Sequence, residues 1–94
     1  MAGYWIVRGG ETRDADALQE YGKLWPAIAA QFGAELIAGK GRCETPEGQQ
    51  YVRQLIVRFD SYEQALACYH SAEYAPARKL ASQASERELI IVEG

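Results

Sequence analysis

The first third of the chain has a hydrophobic pattern that predicts one short strand followed by one long helix. Residues Tyr4–Val7 read YWIV, aromatic and β-branched, with glycines on both sides, and such a run predicts a strand. Residues 14–32 then repeat apolar side chains every three or four positions, which predicts a helix with one apolar face. Asp14 suits its N-cap, and Gly33 suits the position just after its end. Pro26 removes a hydrogen-bond donor inside this helix, so we expect a kink there.

The middle of the chain predicts a β-hairpin. Residues 34–44 hold the apolar run LIA followed by two glycines, which indicates a strand with a bend. Residues 45–48 read TPEG, a turn, and residues 50–59 form the second arm. Alternate residues of a strand point to opposite faces. One face of this arm carries Tyr51, Arg53, Leu55, Val57 and Phe59, and the other carries Val52, Gln54, Ile56 and Arg58.

The last third of the chain predicts two helices and a strand. Ser61 and Gln64 match a capping box, so a helix should begin there. Its buried face would hold Tyr62, Ala65, Leu66 and Tyr69. Pro76 cannot sit inside a helix, because its ring clashes with a preceding carbonyl. The helix should therefore end near His70, and a short second helix should begin near Ala75-Pro76 with the proline in its favoured first position. Residues 88–92, ELIIV, predict the final strand.

This order of elements is β-α-β-β-α-β, the ferredoxin-like pattern of an α+β domain. Right-handed crossovers place the helices on one face of a four-stranded antiparallel sheet and leave the other face open. That open face should be polar in a monomer, yet the runs Tyr4–Val7, Leu55–Val57 and Leu89–Val92 are apolar at successive positions. A second copy of the sheet would cover them. We therefore predict one domain, residues 1–94, that forms a homodimer packed sheet to sheet.

Composition excludes several classes of partner. The chain has 94 residues and a formal net charge of −3, and its basic residues are scattered singly, so nucleic-acid binding is not expected. No apolar run approaches the ~20 residues of a membrane span, and the N-terminal segment lacks the features of a signal peptide. Cys43 and Cys68 fit no metal-binding spacing, and a disulfide between them is the less favoured alternative to two reduced thiols. Together these features predict a cytoplasmic protein with reduced thiols.

Five segments carry a resemblance to a known family. They are Gly3-Tyr4-Trp5-Ile6, Gly39-Lys40-Gly41-Arg42, Leu55 to Ala65, Tyr69-His70-Ser71 with Glu73-Tyr74, and Leu89 to Gly94. Taken together, they resemble the small bacterial proteins called domain of unknown function thirteen-thirty, within the dimeric α/β-barrel superfamily. The resemblance spans nearly the whole chain, and the His-Ser-x-Glu-Tyr run is its most specific part. It implies the fold and dimerisation but no activity, because fold alone does not carry function. Pro76 departs from the pattern.

The stretch around the only histidine suggests catalytic chemistry. On one continuous helix, His70, Tyr74 and Arg78 would share a face, with His70 as acid/base, Tyr74 as proton donor and Arg78 as anchor for an oxyanion. Pro76 argues against that helix and favours a structural corner. There His70 would end a helix, Ser71 would satisfy backbone groups, and Tyr74 would pack its ring and hydrogen-bond its hydroxyl.

Two functional hypotheses follow from these residues. The first is a binding module that holds a small apolar or aromatic acid between sheet and helices. Its lining would be Tyr4 or Trp5, with Trp25, Tyr69 and Tyr74. The second is a cofactor-independent isomerase or monooxygenase, with His70 as base and Arg78 orienting the substrate. We expect no metal or cofactor, because one histidine without a cysteine or carboxylate cluster does not make a zinc or iron site; haem could use only His70 as an axial ligand.

Overall fold

The computed structural model describes all residues from 1 to 94. Seven elements follow one another in the order β1-α1-β2-β3-α2-α3-β4. Their bounds are β1 Gly3–Gly9, α1 Ala15–Phe32, β2 Glu35–Ala38, β3 Arg53–Phe59, α2 Tyr62–Tyr69, α3 Ala75–Ala84 and β4 Arg87–Glu93. None of the helices combines the length and the apolar character that crossing a membrane requires.

The four strands form one antiparallel sheet in the order β2-β3-β1-β4. β1 lies in the middle and pairs along its whole length, so that Trp5 is opposite Val57 of β3 and Ile91 of β4. Every second residue of β1 is buried, and the residues between them are half-buried. The buried set faces the helices, and the other set faces outward. The predicted ferredoxin-like α+β fold is confirmed.

The ends of α1 follow the local signals in the sequence. The Asp14 side chain accepts a 3.0 Å hydrogen bond from the Ala17 amide, which satisfies one of the free donors at the helix start. Gly33 ends the helix in the left-handed region, at φ 66°, where a glycine has no steric penalty. The helix runs continuously through Pro26. Both predicted caps are confirmed, and the kink stays a prediction.

A tight corner joins α2 to α3. Ser61 caps α2 by accepting a 3.0 Å bond from the Gln64 amide, and His70 is the C-cap residue. The Ser71 hydroxyl donates to the Cys68 carbonyl at 2.7 Å and accepts from the Tyr74 amide at 3.1 Å. Pro76 lies in the first turn of α3. The two-helix corner is confirmed, and the single continuous helix is excluded.

The predicted hairpin is shorter than the sequence pattern indicated. β2 ends at Ala38 instead of continuing to residue 44, and β3 begins at Arg53 instead of residue 50. Gly39 causes the early end, because it adopts φ 137° and comes so close to Leu55 that a β-carbon would lie 2.6 Å from that side chain. Side-chain hydrogen bonds organise the connection instead. Gln54 donates to the Thr45 hydroxyl at 2.8 Å.

The core lies between the sheet and the helices. Its largest fully buried side chains are Trp5, Phe59, Cys68 and Tyr74. On α2, Ala65 and Cys68 are completely buried, whereas the predicted Tyr62, Leu66 and Tyr69 are only half-buried. Cys68 thus acts as a small apolar side chain, and burial raises the pKa of its thiol to about 12.

Candidate functional site

An apolar cavity of about 210 Å³ lies between the helix-facing side of the sheet and helices α1 and α3. Ten of its fourteen lining residues are hydrophobic, which favours an organic ligand over a hydrated ion. The lining comprises Trp5, Val7, Gly9, Leu18, Tyr21, Trp25, Leu36, Arg53, Leu55, Val57, Ala81, Ala84, Ser85 and Arg87. We call this space the apolar cavity.

The polar end of the apolar cavity is built around a glycine in the central strand. Gly9 pairs with Arg53 of β3 on one side and with Arg87 of β4 on the other. Neighbouring strands lie about 4.8 Å apart, so the two arginine backbones are separated by roughly 10 Å. Gly9 has no side chain to fill the interval. Arg53, which is exposed, and Arg87, which is half-buried, therefore lie on either side of a position without a side chain, and all three residues line the cavity.

Arg87 is half-buried and held in place by an aromatic group. Its Nη2 donates a 2.7 Å hydrogen bond to the Tyr74 hydroxyl, and its guanidinium carbon lies 5.6 Å from the centre of the Tyr21 ring. No carboxylate lies within ion-pair distance of it. Because arginine stays protonated at all ordinary pH values, Arg87 presents an uncompensated positive charge at the cavity.

Tyr74 connects this arginine to the aromatic core. Its ring is fully buried, and its hydroxyl lies 3.0 Å from that of Tyr21. Burial is the main cause that raises the pKa of Tyr74 well above the ordinary phenol value, and the neighbouring Tyr21 adds to it, whereas Arg87 acts in the opposite direction. The phenol is therefore neutral and serves as a hydrogen-bonding group that orients Arg87.

Two tryptophans form the apolar wall. The Trp5 indole nitrogen donates to the Ala65 carbonyl at 3.0 Å, so its only polar atom is already paired and the ring presents carbon to the cavity. Trp25 lies beside it with ring centres 5.6 Å apart, and Tyr21 stacks on Trp25 at an interplanar angle of 10°. These rings restrict one another and give the wall a fixed shape.

The structure brings only some of the sequence-predicted site residues to the apolar cavity. Trp5 and Trp25 line it, and Tyr74 lies directly behind it through its bond to Arg87. Tyr4 lies on the opposite, open face of the sheet, where it pairs with Arg58 and Val92; it therefore cannot line a cavity on the helix side.

The remaining predicted residues gather near the helix corner. His70 is exposed and lines neither this cavity nor the second one described below. Its ring centre is 5.2 Å from that of Tyr69. Arg78 donates a 3.4 Å bond to the Tyr69 carbonyl and lies 5.3 Å from the centre of the Tyr69 ring. His70, Tyr74 and Arg78 do not form one catalytic face.

Sequence reasoning missed both charged residues of the apolar cavity, Arg53 and Arg87. Arg53 was already assigned to the same face as Leu55 and Val57, and a charged residue in phase with a buried face is a signal for a site. Arg87 continues the alternation of Leu89 and Ile91 but precedes the predicted strand by one residue. No cluster of three or more histidine, cysteine, aspartate or glutamate residues is arranged to hold a metal ion.

These features define the chain as a ferredoxin-like protein with an apolar cavity on the helix side of its sheet. It belongs to the family described as Domain of unknown function (DUF1330), whose profile matches residues 2–94. No curated protein matches its sequence closely enough to show a relationship.

Solved structures share the fold at low sequence identity. The methylated RPA0582 protein of Rhodopseudomonas palustris has a TM-score of 0.76 and 14% identity, over 99% of this chain and 80% of that one. A dimeric ferredoxin-like protein of unknown function from Bacteroides fragilis has a TM-score of 0.60 and 18% identity, over 99% and 96%. A protein of unknown function from Bacteroides thetaiotaomicron, described as "Possible Oxidoreductase", has a TM-score of 0.58 and 18% identity, over 99% and 95%. At these identities the likeness shows the fold alone.

Proposed function

We propose that the protein binds a small apolar or aromatic acid in the apolar cavity. The observation that carries this proposal is the row formed by Arg53, Gly9 and Arg87, which pair side by side across three strands and line an otherwise apolar space. A carboxylate between them would make charge-assisted hydrogen bonds, while the body of the ligand would contact Trp5 and Trp25.

The size of the cavity supports a ligand with a single ring. Dry cavities of roughly 150 Å³ hold a benzene molecule, and the apolar cavity measures about 210 Å³. The additional volume accommodates a carboxyl group and a short linker. Since Arg53 makes no ion pair within the chain, both arginines have free donors for the carboxylate.

A catalytic alternative has less support. A cofactor-independent isomerase or monooxygenase with His70 as acid/base would need that imidazole within hydrogen-bond reach of the substrate. His70 is exposed and does not line the cavity. Arg78 also lies outside the apolar cavity. Binding is therefore the function that the geometry favours.

A homodimer joined through the open face of the sheet is part of the same proposal. Ile56, Ile6 and Ile90 lie side by side across β3, β1 and β4 on that face, and Ile90 is 56% exposed. A second sheet would cover this apolar row. The B. fragilis protein of the same fold is described as dimeric, which supports dimerisation. Cytoplasmic localisation is supported by the two free cysteines.

A thermal-shift comparison of acids with their uncharged amides tests the binding proposal. Phenylacetate at about ten times its Kd should stabilise the fold by ~1.4 kcal/mol, which corresponds to a rise in Tm of roughly 5–10 °C. Phenylacetamide should give a much smaller rise, because it lacks the charge. His70→Ala should leave the rise unchanged. If turnover of the acid is detected and His70→Ala abolishes it while binding persists, the enzyme hypothesis is correct instead. If no acid of this class raises the Tm, the binding proposal fails.

A further inference from the structure

A second, polar cavity of about 260 Å³ lies on the other side of Arg87. It is formed by the start of β4, by α3 and by the segment between β1 and α1. We call it the arginine cavity, because three guanidinium groups border it. Its polar lining comprises Arg13, Arg78, Arg87, Ser82, Ser85 and Glu86.

The three arginines are held by neutral groups. Arg13 donates to the Ser82 carbonyl at 2.7 Å, Arg78 donates to the Tyr69 carbonyl at 3.4 Å, and Arg87 donates to the Tyr74 hydroxyl. The ion pairs of the chain involve Arg8, Lys23 and Arg58 instead. Each arginine of the cavity is therefore oriented without being neutralised, although the chain carries more acidic than basic residues.

The hydroxyl of a largely buried serine faces the same space. Ser85 is only 7% exposed, and its amide is used in a 3.3 Å bond to the Ala81 carbonyl. Its hydroxyl makes no hydrogen bond within the protein, and the residue lines both the apolar cavity and the arginine cavity. Because no buried side-chain polar atom of the chain lacks a partner, this unpaired hydroxyl reaches solvent through the cavity and is free to donate a hydrogen bond. An acceptor atom bound in the cavity would satisfy it.

We propose that the arginine cavity binds a phosphate dianion, either free or as the phosphoryl group of a small organic ester. Three guanidinium groups opposed by the one carboxylate of Glu86 leave two formal positive charges, which matches the charge of the dianion. The planar fork of arginine suits phosphate oxygens, which can accept two parallel bonds from one guanidinium. Ser85 supplies a neutral donor. This site is separate from the aromatic-acid site, although Arg87 and Ser85 border both.

The test is a titration of the ¹⁵N-labelled protein with inorganic phosphate, followed by NMR at constant ionic strength. The amide signals of Arg13 and of residues 78–87 should shift saturably. Arg13→Gln and Arg78→Gln should each weaken binding by about tenfold or more, because each removes a charged hydrogen bond. Arg42→Gln changes the net charge equally at an exposed loop residue that makes no side-chain hydrogen bond or ion pair, and it should weaken binding less than twofold. Arg13→Lys should retain only part of the phosphate affinity, because lysine keeps the positive charge but lacks the planar, two-pronged guanidinium group.

The outcomes separate this proposal from the aromatic-acid site. Arg53→Gln alters only the apolar cavity, so it should weaken phenylacetate and leave phosphate unchanged. Phenyl phosphate that binds more tightly than phosphate and shifts the Trp5 indole signal would identify an organic ester as the ligand; equal affinity without that shift would identify free phosphate. The proposal is overturned if phosphate gives no saturable shifts in these segments, or if Arg42→Gln weakens binding as much as Arg13→Gln. Since Arg13 is exposed, its variant keeps the test valid even if Arg78→Gln disturbs the helix corner.

Discussion

The Tyr74 hydroxyl accepts a 2.7 Å hydrogen bond from Arg87. Tyr74 lies just before α3 at the helix corner, whereas Arg87 begins the edge strand β4. The bond therefore connects the corner to the sheet at the point where the two cavities meet. A fully buried phenol thus sets the position of a half-buried charge, and the binding proposals both depend on that position.

Removal of the Tyr74 hydroxyl should destabilise the fold. In Tyr74→Phe the ring remains in the core, but the half-buried Arg87 loses its partner, and the loss in unfolding free energy should be ~1–3 kcal/mol. Urea denaturation measures it. Tyr62→Phe is a matched control, since the Tyr62 hydroxyl makes no hydrogen bond within the chain, and it should change stability by less than ~0.5 kcal/mol. Equal stability of the two variants would show that the Tyr74 bond contributes nothing.

Two glycines of β1 should differ in their tolerance of alanine. A β-carbon at Gly3 would lie 2.5 Å from the Ser61 carbonyl oxygen, a backbone atom that cannot swing aside. Gly3→Ala should therefore cost ~1–3 kcal/mol through overpacking. At Gly9 the nearest atom would be 3.8 Å away, an ordinary contact, so Gly9→Ala should be close to neutral. Thermal or urea unfolding of both variants checks this, and a larger loss at Gly9 than at Gly3 would contradict the described packing.

The open face of the sheet should control association. Ile90→Lys places a charge at the edge-strand end of the isoleucine row, so if the proposed dimer forms, sedimentation should show this variant as a monomer at concentrations where the unmodified chain sediments as a dimer. Leu24→Lys is the control, because Leu24 is also an exposed apolar residue, at 36%, but belongs to α1. It should leave the dimer intact. Loss of the dimer in Leu24→Lys alone would place the interface on the helix layer.

Stability should decline in alkaline solution because of the buried thiol. Burial raises the pKa of Cys68 from 9.0 to about 12, so above pH 9 the unfolded chain loses a proton that the folded chain keeps. The stabilisation from this group is complete below pH 9 and is lost as pH rises through 12. Between pH 8 and pH 10 the unfolding free energy should fall by ~1 kcal/mol from this group.

Cysteine variants isolate that contribution. Cys68→Ala should show a smaller decline than the unmodified chain over the same interval, measured in urea under reducing conditions. Cys43→Ala removes the exposed thiol and should keep the full decline. If both variants decline equally, the buried thiol is not the source.

Local signals in the sequence predicted much of the fold. Asp14, Gly33, Ser61 and Pro76 each act on backbone groups within a few residues, so their effects can be read without knowing the tertiary structure. The pairing of β2 with β3 was predicted correctly, but the extent of the hairpin was not, because the early end of β2 depends on how closely Gly39 approaches Leu55 of β3, a contact between strands that no local pattern records.

The candidate site was predicted only where it coincides with the core. Trp5 and Trp25 belong to apolar stripes and were found for that reason. Arg87 was missed because its significance comes from Tyr74, thirteen residues away, and from its position beside Gly9 across the sheet. His70 was selected for its chemistry, yet its position at the C-cap of α2 leaves it exposed.

Tryptophan fluorescence gives the most direct test of the aromatic-acid site. The chain has two tryptophans, and both line the apolar cavity, so any ligand bound there must contact the fluorophores. Titration with phenylacetate should change their emission saturably, and Arg53→Gln should weaken the apparent affinity by about tenfold or more through loss of a charged hydrogen bond. Emission that does not respond to the acid, or an affinity that Arg53→Gln leaves unchanged, would contradict the proposed site.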